Sequence, residues 1–241
     1  MPDFAKQGAA LPFFLALAAC SGAPAPTDAP HTSEPAQLTV IDDVSESTAA
    51  HIDPAVAKAA QQRIAGLAGQ MQLGDSIIVY EAGARSAERM IAHPAIVTDY
   101  NLRIPAAAAK LEQQLQEIAA RFDAEGGDDQ TNLLLALETI RPSCTPRSTV
   151  VLMTDGMEVS DAYSASQALV AGEPVNLPPP PGEYLAGCRV VMLGFGLTID
   201  PSAEAPQILP ASMLISLRQA WTAYLQAAGV KPADMTFISA L

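Results

Sequence analysis

Asp43, Ser45 and Ser47 stand at alternate positions in Leu38-Thr-Val-Ile-Asp-Asp-Val-Ser-Glu-Ser47, directly after a short apolar run of strand type. A carboxylate and two hydroxyls on a loop leaving the carboxyl end of a buried strand form an all-oxygen claw suited to a hard cation such as Mg2+. Alone this is a weak signal, because Asp and Ser are ordinary turn and helix-cap residues. Two later segments strengthen it. Gly126-Gly-Asp-Asp-Gln-Thr-Asn132 brings Thr131 to the start of an amphipathic helix, and Val150-Val-Leu-Met-Thr-Asp-Gly156 brings Asp155 to the end of a second apolar strand. Asp43, Ser45, Ser47, Thr131 and Asp155 thus all fall at strand-to-loop or loop-to-helix junctions. Open α/β sheets bind their ligands at the carboxyl edge of the strands.

The elements that must position these residues alternate along the chain from Leu38. Asp53 caps a helix with Pro54 at its first position, and Val56, Ala60, Ile64, Leu67 and Met71 recur on one face until Gly74-Asp75. Ser76–Tyr80 is a buried strand, and Gly83 followed by Glu88–Ala92 reads as a hairpin into a polar edge strand. Pro105 opens a helix carrying Leu111, Leu115, Ile118 and Phe122. A shorter one carries Leu133, Leu137 and Ile140 and closes at Pro142. Then follow a strand over Val150–Thr154, a helix over Asp161–Ala171, a strand over Arg189–Gly194, a helix with Leu217, Trp221 and Tyr224 in the core, and a last strand over Met235–Ser239. Strands separated by helices of these lengths predict an α/β fold: a doubly wound, mostly parallel sheet of about six strands with helices on both faces.

In this combination, order and spacing, residues 37 to 241 resemble the von Willebrand factor type A family, whose integrin members carry the metal-ion-dependent adhesion site. The resemblance implies a Rossmann-like sheet with an antiparallel edge strand. It also implies Mg2+, with Mn2+ or Ca2+ as alternatives, held directly by Ser45, Ser47 and either Thr131 or Asp155, with Asp43 acting through water. An open position on the ion then accepts a carboxylate from a partner protein, since few first-shell charges leave the ion electrophilic. One position departs from the family: Glu46 stands where glycine is common. It could fold over the ion, repel an acidic partner or point to solvent, and an exposed loop acid is the simplest expectation. Asp128 and Asp129 raise the same question, and Glu158 is either an outer-shell acceptor or the start of the next loop.

Composition and termini bound the function. Of 241 residues, 49% are hydrophobic, enough for one domain with a sizeable core, and the net charge of −13 argues against a nucleic-acid partner. Residues 1–19 end in the apolar run Ala9–Ala19, too short for a stable span but right for a secretory segment. Leu17-Ala-Ala-Cys20 resembles a bacterial lipoprotein signal with Cys20 lipidated, although Asp3 and the lone Lys6 make a poor basic start. Residues 20–37, rich in Pro, Ala, Ser and Thr, read as a tether, leaving 38–241 as the domain. By the same resemblance, Ser21 after the cysteine points to the outer membrane, facing the periplasm. Export to an oxidising compartment leaves Cys144 and Cys188 as a pair. If the strands that follow them are parallel neighbours, both thiols lie at one edge and form a disulfide; the alternative is two separate buried thiols.

Other chemistries fit less well. His31, His51 and His93 have no metal-ligand spacing for zinc. The chain has no Gly-x-Ser-x-Gly elbow and no phosphate-binding Gly-Lys-Ser/Thr, and Gly194-Phe-Gly196 lacks the third glycine of a dinucleotide fingerprint. Pro178–Pro181 is a stiff, exposed stretch, either a docking surface or a spacer. Three functions remain: a non-catalytic, envelope-tethered domain that captures another envelope protein through an acidic side chain; a structural assembly lipoprotein whose metal only stabilises the fold; and a hydrolase or phosphotransferase with Asp43 as nucleophile. No second catalytic group is evident for the third.

Overall fold

The computed structural model describes residues 34–83, 91–161, 163–199 and 205–239. In chain order its strands are β1 Gln37–Asp43, β2 Ser76–Ala82, β3 Ile91–Ala92, β4 Ile96–Val97, β5 Thr149–Met153, β6 Arg189–Leu193, β7 Leu197–Thr198, β8 Gln207–Ile208 and β9 Met235–Ile238. The helices, numbered here in the same way, are α1 Ala49–Ile52, α2 Pro54–Ala68, α3 Ile104–Glu125, α4 Leu133–Ile140, α5 Ala165–Ala171 and α6 Ala211–Ala227. The main sheet has seven strands in the order β3-β2-β1-β5-β6-β9, with β4 also on β2. Strands β2, β1, β5, β6 and β9 run parallel, and β3 and β4 are antiparallel to β2 at the edge. This is the expected α/β architecture, with two short edge strands in place of one.

Alternation along the strands creates two apolar layers. Leu38 and Val40 of β1, Ile77 and Val79 of β2 and Val151 of β5 pack against Ala60 and Ile64 of α2 and Leu111, Leu115 and Ile118 of α3. The opposite parity sends Ile41, Val150, Leu152, Val190 and Met192 against α4, α5 and α6. β1 lies between β2, reached through α1 and α2, and β5, reached much later. The winding therefore reverses beside β1, and the crevice opens between the carboxyl ends of β1 and β5.

Several boundaries differ from the sequence reading. The first long helix stops at Ala68, so Met71 is buried from a turn and not from a helical face. Asp75 organises that turn, accepting from the amides of Ala36 and Gln72, both at 2.7 Å. Ala36 is buried and Gln37 is already in β1, so the end of the expected 20–37 tether belongs to the domain. The expected helix over Asp161–Ala171 begins at Ala165, where the Ser164 hydroxyl accepts from the Gln167 amide at 3.3 Å. Only Ile91–Ala92 of the Glu88–Ala92 strand lies among the described residues.

Cys144 and Cys188 form a disulfide with their Cα atoms 4.7 Å apart, at the amino-terminal ends of the parallel neighbours β5 and β6. The expected signal segment and Cys20 lie outside the described residues. Among the described residues, no helix is long and apolar enough to cross a membrane.

Candidate metal centre

Strand alternation turns Asp42 and Asp43 to opposite faces of β1, and Asp43 goes to the crevice. Its side chain is 0% exposed and held on both oxygens. Oδ1 accepts from the Ser45 amide at 3.0 Å and the Thr131 hydroxyl at 3.4 Å, and Oδ2 accepts from the Thr154 hydroxyl at 2.6 Å. Burial pushes its pKa above the ordinary carboxylate value, and the bonds from Thr154 and Ser45 work against that rise. The loop after it folds back in one turn, with the Thr48 amide on the Ser45 carbonyl at 3.1 Å. The Ser45 hydroxyl meets those of Thr48 at 3.1 Å and Ser47 at 3.4 Å.

Thr131 is fixed by pairing with the loop that follows β5. Its amide donates to the Val159 carbonyl at 2.8 Å and its carbonyl accepts from the Val159 amide at 3.1 Å. The helix it precedes, α4, receives no side-chain cap from Asn132. Glu158 supplies one from across the crevice, accepting from the Leu134 amide at 3.2 Å. Burial pushes the Glu158 carboxyl up to about 7, against the amides of Leu134 and Leu133 and the Ser160 hydroxyl. Gly127 lets this segment lie close to the first loop, since a Cβ there would stand 2.8 Å from the Glu46 nitrogen.

Asp155 follows β5 and faces the same hollow. The indole N–H of fully buried Trp221 donates to the Gly156 carbonyl at 2.8 Å, and Gly156 has φ +84°, with Phe195 filling the space a Cβ would need. That turn is therefore clamped from below by α6. Asp155 Oδ1 accepts from the Met157 amide at 2.8 Å, while Oδ2 is buried and accepts no hydrogen bond. Burial pushes its carboxyl up to about 7 and the Asp43 charge adds to the rise. The Met157 amide and the nearby hydroxyls of Ser47 and Thr198 favour the ionised form.

The structure thus brings all five residues of the sequence motif into one hollow. Two buried carboxylates share it, one oxygen of Asp155 has no hydrogen-bond partner, and the side chains around them include the hydroxyls of Ser45, Thr131 and Thr154. An uncompensated buried carboxylate is costly, and a cation relieves both the desolvation and the mutual repulsion. The residues therefore fit a hard divalent ion. Among the described residues, no group of three or more His, Cys, Asp or Glu is arranged to hold a metal. The candidate centre rests instead on two carboxylates and three hydroxyls, the softer-charged set expected for an ion that keeps an open anionic position.

Glu46 is exposed, as is Asp129, whereas Asp128 is buried with its backbone paired to the first loop through Glu46 and Val44. Thr154, Thr198 and Trp221 are parts of the site that pattern reading missed. So is the polar cluster on the other face of the same edge. There His51 Nε2 bonds Asp42 Oδ1 at 2.8 Å and the ring stacks on Phe122 at 4.8 Å. Burial alone would lower the His51 pKa, but Asp42 outweighs it and the net direction is up. Glu81 pairs with His93 at 2.7 Å and with Arg121. The available signal was parity: Asp42 and Glu81 occupy positions of β1 and β2 that alternation assigns to the core.

No family model matches the chain, and no curated protein matches it. Among solved structures, the chain is similar to the crystal structure of an aerotolerance-related membrane protein from Bacteroides fragilis NCTC 9343 carrying multiple mutations to serines. The TM-score is 0.44, with 15% identity over 86% of this chain and 92% of that one. At that level of likeness no functional property passes from one chain to the other.

Proposed function

We propose that the chain is a non-catalytic protein-binding domain of the von Willebrand factor type A kind, tethered in the bacterial cell envelope. On this reading it captures an acidic side chain of another envelope protein through Mg2+ at Asp43, Ser45, Ser47, Thr131 and Asp155. The observation that carries it is the unpartnered, buried Oδ2 of Asp155 beside Asp43, in the hollow that holds the hydroxyls of Ser45, Thr131 and Thr154. A bound divalent ion would supply an electrophilic position for an incoming carboxylate. The chain's own contribution is to hold the oxygens. Asp43 is fastened by Ser45, Thr131 and Thr154, Thr131 by Val159, and Asp155 by Met157 and the Trp221-backed turn. With both oxygens engaged and no exposure, Asp43 is suited to holding and not to nucleophilic attack.

A second reading has one observation in its favour. Because burial raises the carboxyls of both Asp43 and Asp155, a cation stabilises the fold whether or not a partner binds. In that reading the protein is a structural assembly lipoprotein. Lipidation at Cys20 and an outer-membrane position facing the periplasm belong to both readings and rest on the sequence. The test is capture of envelope proteins by the immobilised intact chain in Mg2+, in chelator, and in Mg2+ with excess acetate. Capture that needs Mg2+, is lost in Asp155→Ala and is competed by acetate supports the first reading. Equal capture in chelator contradicts it.

A further inference from the structure

Thr48 directly follows the Asp-x-Ser-x-Ser run and stands at the N-cap of α1, where a threonine hydroxyl ordinarily accepts from an amide of the first helical turn. Here it makes no such bond. Thr48 is 2% exposed, and among the described residues its hydroxyl meets that of Ser45 at 3.1 Å and no other group. The backbone holds Thr48 in place without help from this side chain. Its amide donates to the Ser45 carbonyl at 3.1 Å, its carbonyl accepts from the His51 amide at 3.1 Å, and it forms an antiparallel bridge with Thr198. Beside that bridge the Ile199 amide donates to the Ser47 carbonyl at 3.2 Å. The Thr48 hydroxyl is therefore engaged with the candidate site and not with the helix it could cap.

A serine oxygen binds a cation through its lone pairs, so its own O–H must be donated elsewhere. Ser45 is 4% exposed, which keeps bulk water from serving as the acceptor. The hydroxyl oxygens that meet it are those of Thr48 at 3.1 Å and Ser47 at 3.4 Å. Ser47 is assigned to the same ion, and Asp43 Oδ1 already accepts from the Ser45 amide and the Thr131 hydroxyl. Thr48 is the nearer of the two hydroxyls and carries no ligand role. The bond between Ser45 and Thr48 can run in either direction. A bond donated by Thr48 would use one of the two lone pairs of Ser45, whereas a bond donated by Ser45 leaves both for the cation.

We infer that Thr48 is a positioning residue of the cation site, its hydroxyl accepting the O–H of Ser45 and so leaving the Ser45 lone pairs to the ion. The inference rests on the reading of the site as a Mg2+ centre. Valine at 48 keeps the β-branched shape and removes the hydroxyl, whereas serine keeps the hydroxyl and removes the methyl. The test is titration of the intact, detergent-solubilised, chelator-stripped chain with Mn2+, followed by the electron paramagnetic resonance signal of the free ion. Thermal melts of the same samples in chelator accompany it.

Thr48→Val is expected to bind Mn2+ about three- to tenfold more weakly than wild type, the effect of one lost hydrogen bond. Thr48→Ser is expected to stay within about twofold of wild type, and the melts in chelator to agree within about 5 °C. Thr48→Ala repeats the loss if the valine variant fails to fold. A Thr48→Val or Thr48→Ala affinity equal to wild type overturns the inference alone, as does a serine variant as weak as the valine one. A loss of affinity that comes with a chelator melt more than about 10 °C below wild type also overturns it, because the hydroxyl then holds the fold and not the site. Absence of Mn2+ uptake by wild type overturns it together with the metal reading.

Discussion

Replacing Asp155 by Asn should stabilise the protein in chelator at pH 8 and remove its response to Mg2+. The asparagine Oδ1 retains the 2.8 Å bond from the Met157 amide, and the change falls on Oδ2, which has no donor. Burial and the Asp43 charge raise the Asp155 carboxyl from 3.8 to about 7 in the folded chain. That rise corresponds to about 4 kcal/mol at most, and relaxation of the surroundings reduces it to about 2–4 kcal/mol. The sign follows from a folded-state pKa above the unfolded one. The penalty is absent below about pH 4, grows as the carboxyl ionises, and is fully developed above about pH 7. For a domain of this size the gap amounts to roughly 5–15 °C in Tm. Circular dichroism melts in chelator from pH 4.5 to 8 would show Asp155→Asn above wild type at high pH, converging at low pH. Excess Mg2+ at pH 8 would then raise wild type and leave the variant unmoved. A variant less stable than wild type throughout, or a gap that does not change with pH, refutes the reasoning.

Three further outcomes are expected. Removing the Cys144–Cys188 bond, which closes a separation of 44 residues, should cost about 4 kcal/mol in denaturant unfolding, and thiol counting of the unfolded, unreduced chain should detect neither sulfur. Gly127→Ala should weaken Mg2+ binding by at least about tenfold in calorimetry, because the new Cβ meets backbone of the first loop at 2.8 Å and pushes Thr131 away from Ser45. His51→Ala should cost about 3–5 kcal/mol by leaving Asp42 buried and unpaired. With the His51 pKa raised, that contribution is fully present below about pH 6.5 and declines as pH rises through the folded value.

The layered sheet was legible because its cause is local. Runs such as Val150–Met153 and Arg189–Leu193 sit between helices whose apolar residues recur at helical spacing, and a parallel doubly wound sheet is the arrangement that buries both. The convergence of Asp43, Ser45, Ser47, Thr131 and Asp155 was legible for a similar reason: each lies at or just beyond the end of a periodic segment. What escaped was set by tertiary partners. The capping role of Glu158 escaped because the Leu134 amide it accepts from lies 24 positions earlier in the chain. His51 read as scattered because its partner Asp42 faces away from the crevice that Asp43 enters. Thr198 lies in a two-residue strand with no period to mark it, and its place beside the site follows from its bridge to Thr48 and from the bonds of its neighbours Gly196 and Ile199 to Asp155 and Ser47. Met71 matched the helical period yet lies beyond the helix end, since Gly69 begins a turn that Asp75 stabilises.

Isothermal calorimetry of Mg2+ into the intact, chelator-stripped chain at pH 7.5, beside Asp155→Ala, asks directly whether the hollow at the carboxyl ends of β1 and β5 holds an ion. One site per chain in wild type and none in the variant is the predicted result. No uptake by wild type, or equal uptake by both, would contradict the assignment of Asp43, Ser45, Ser47, Thr131 and Asp155 as a metal centre.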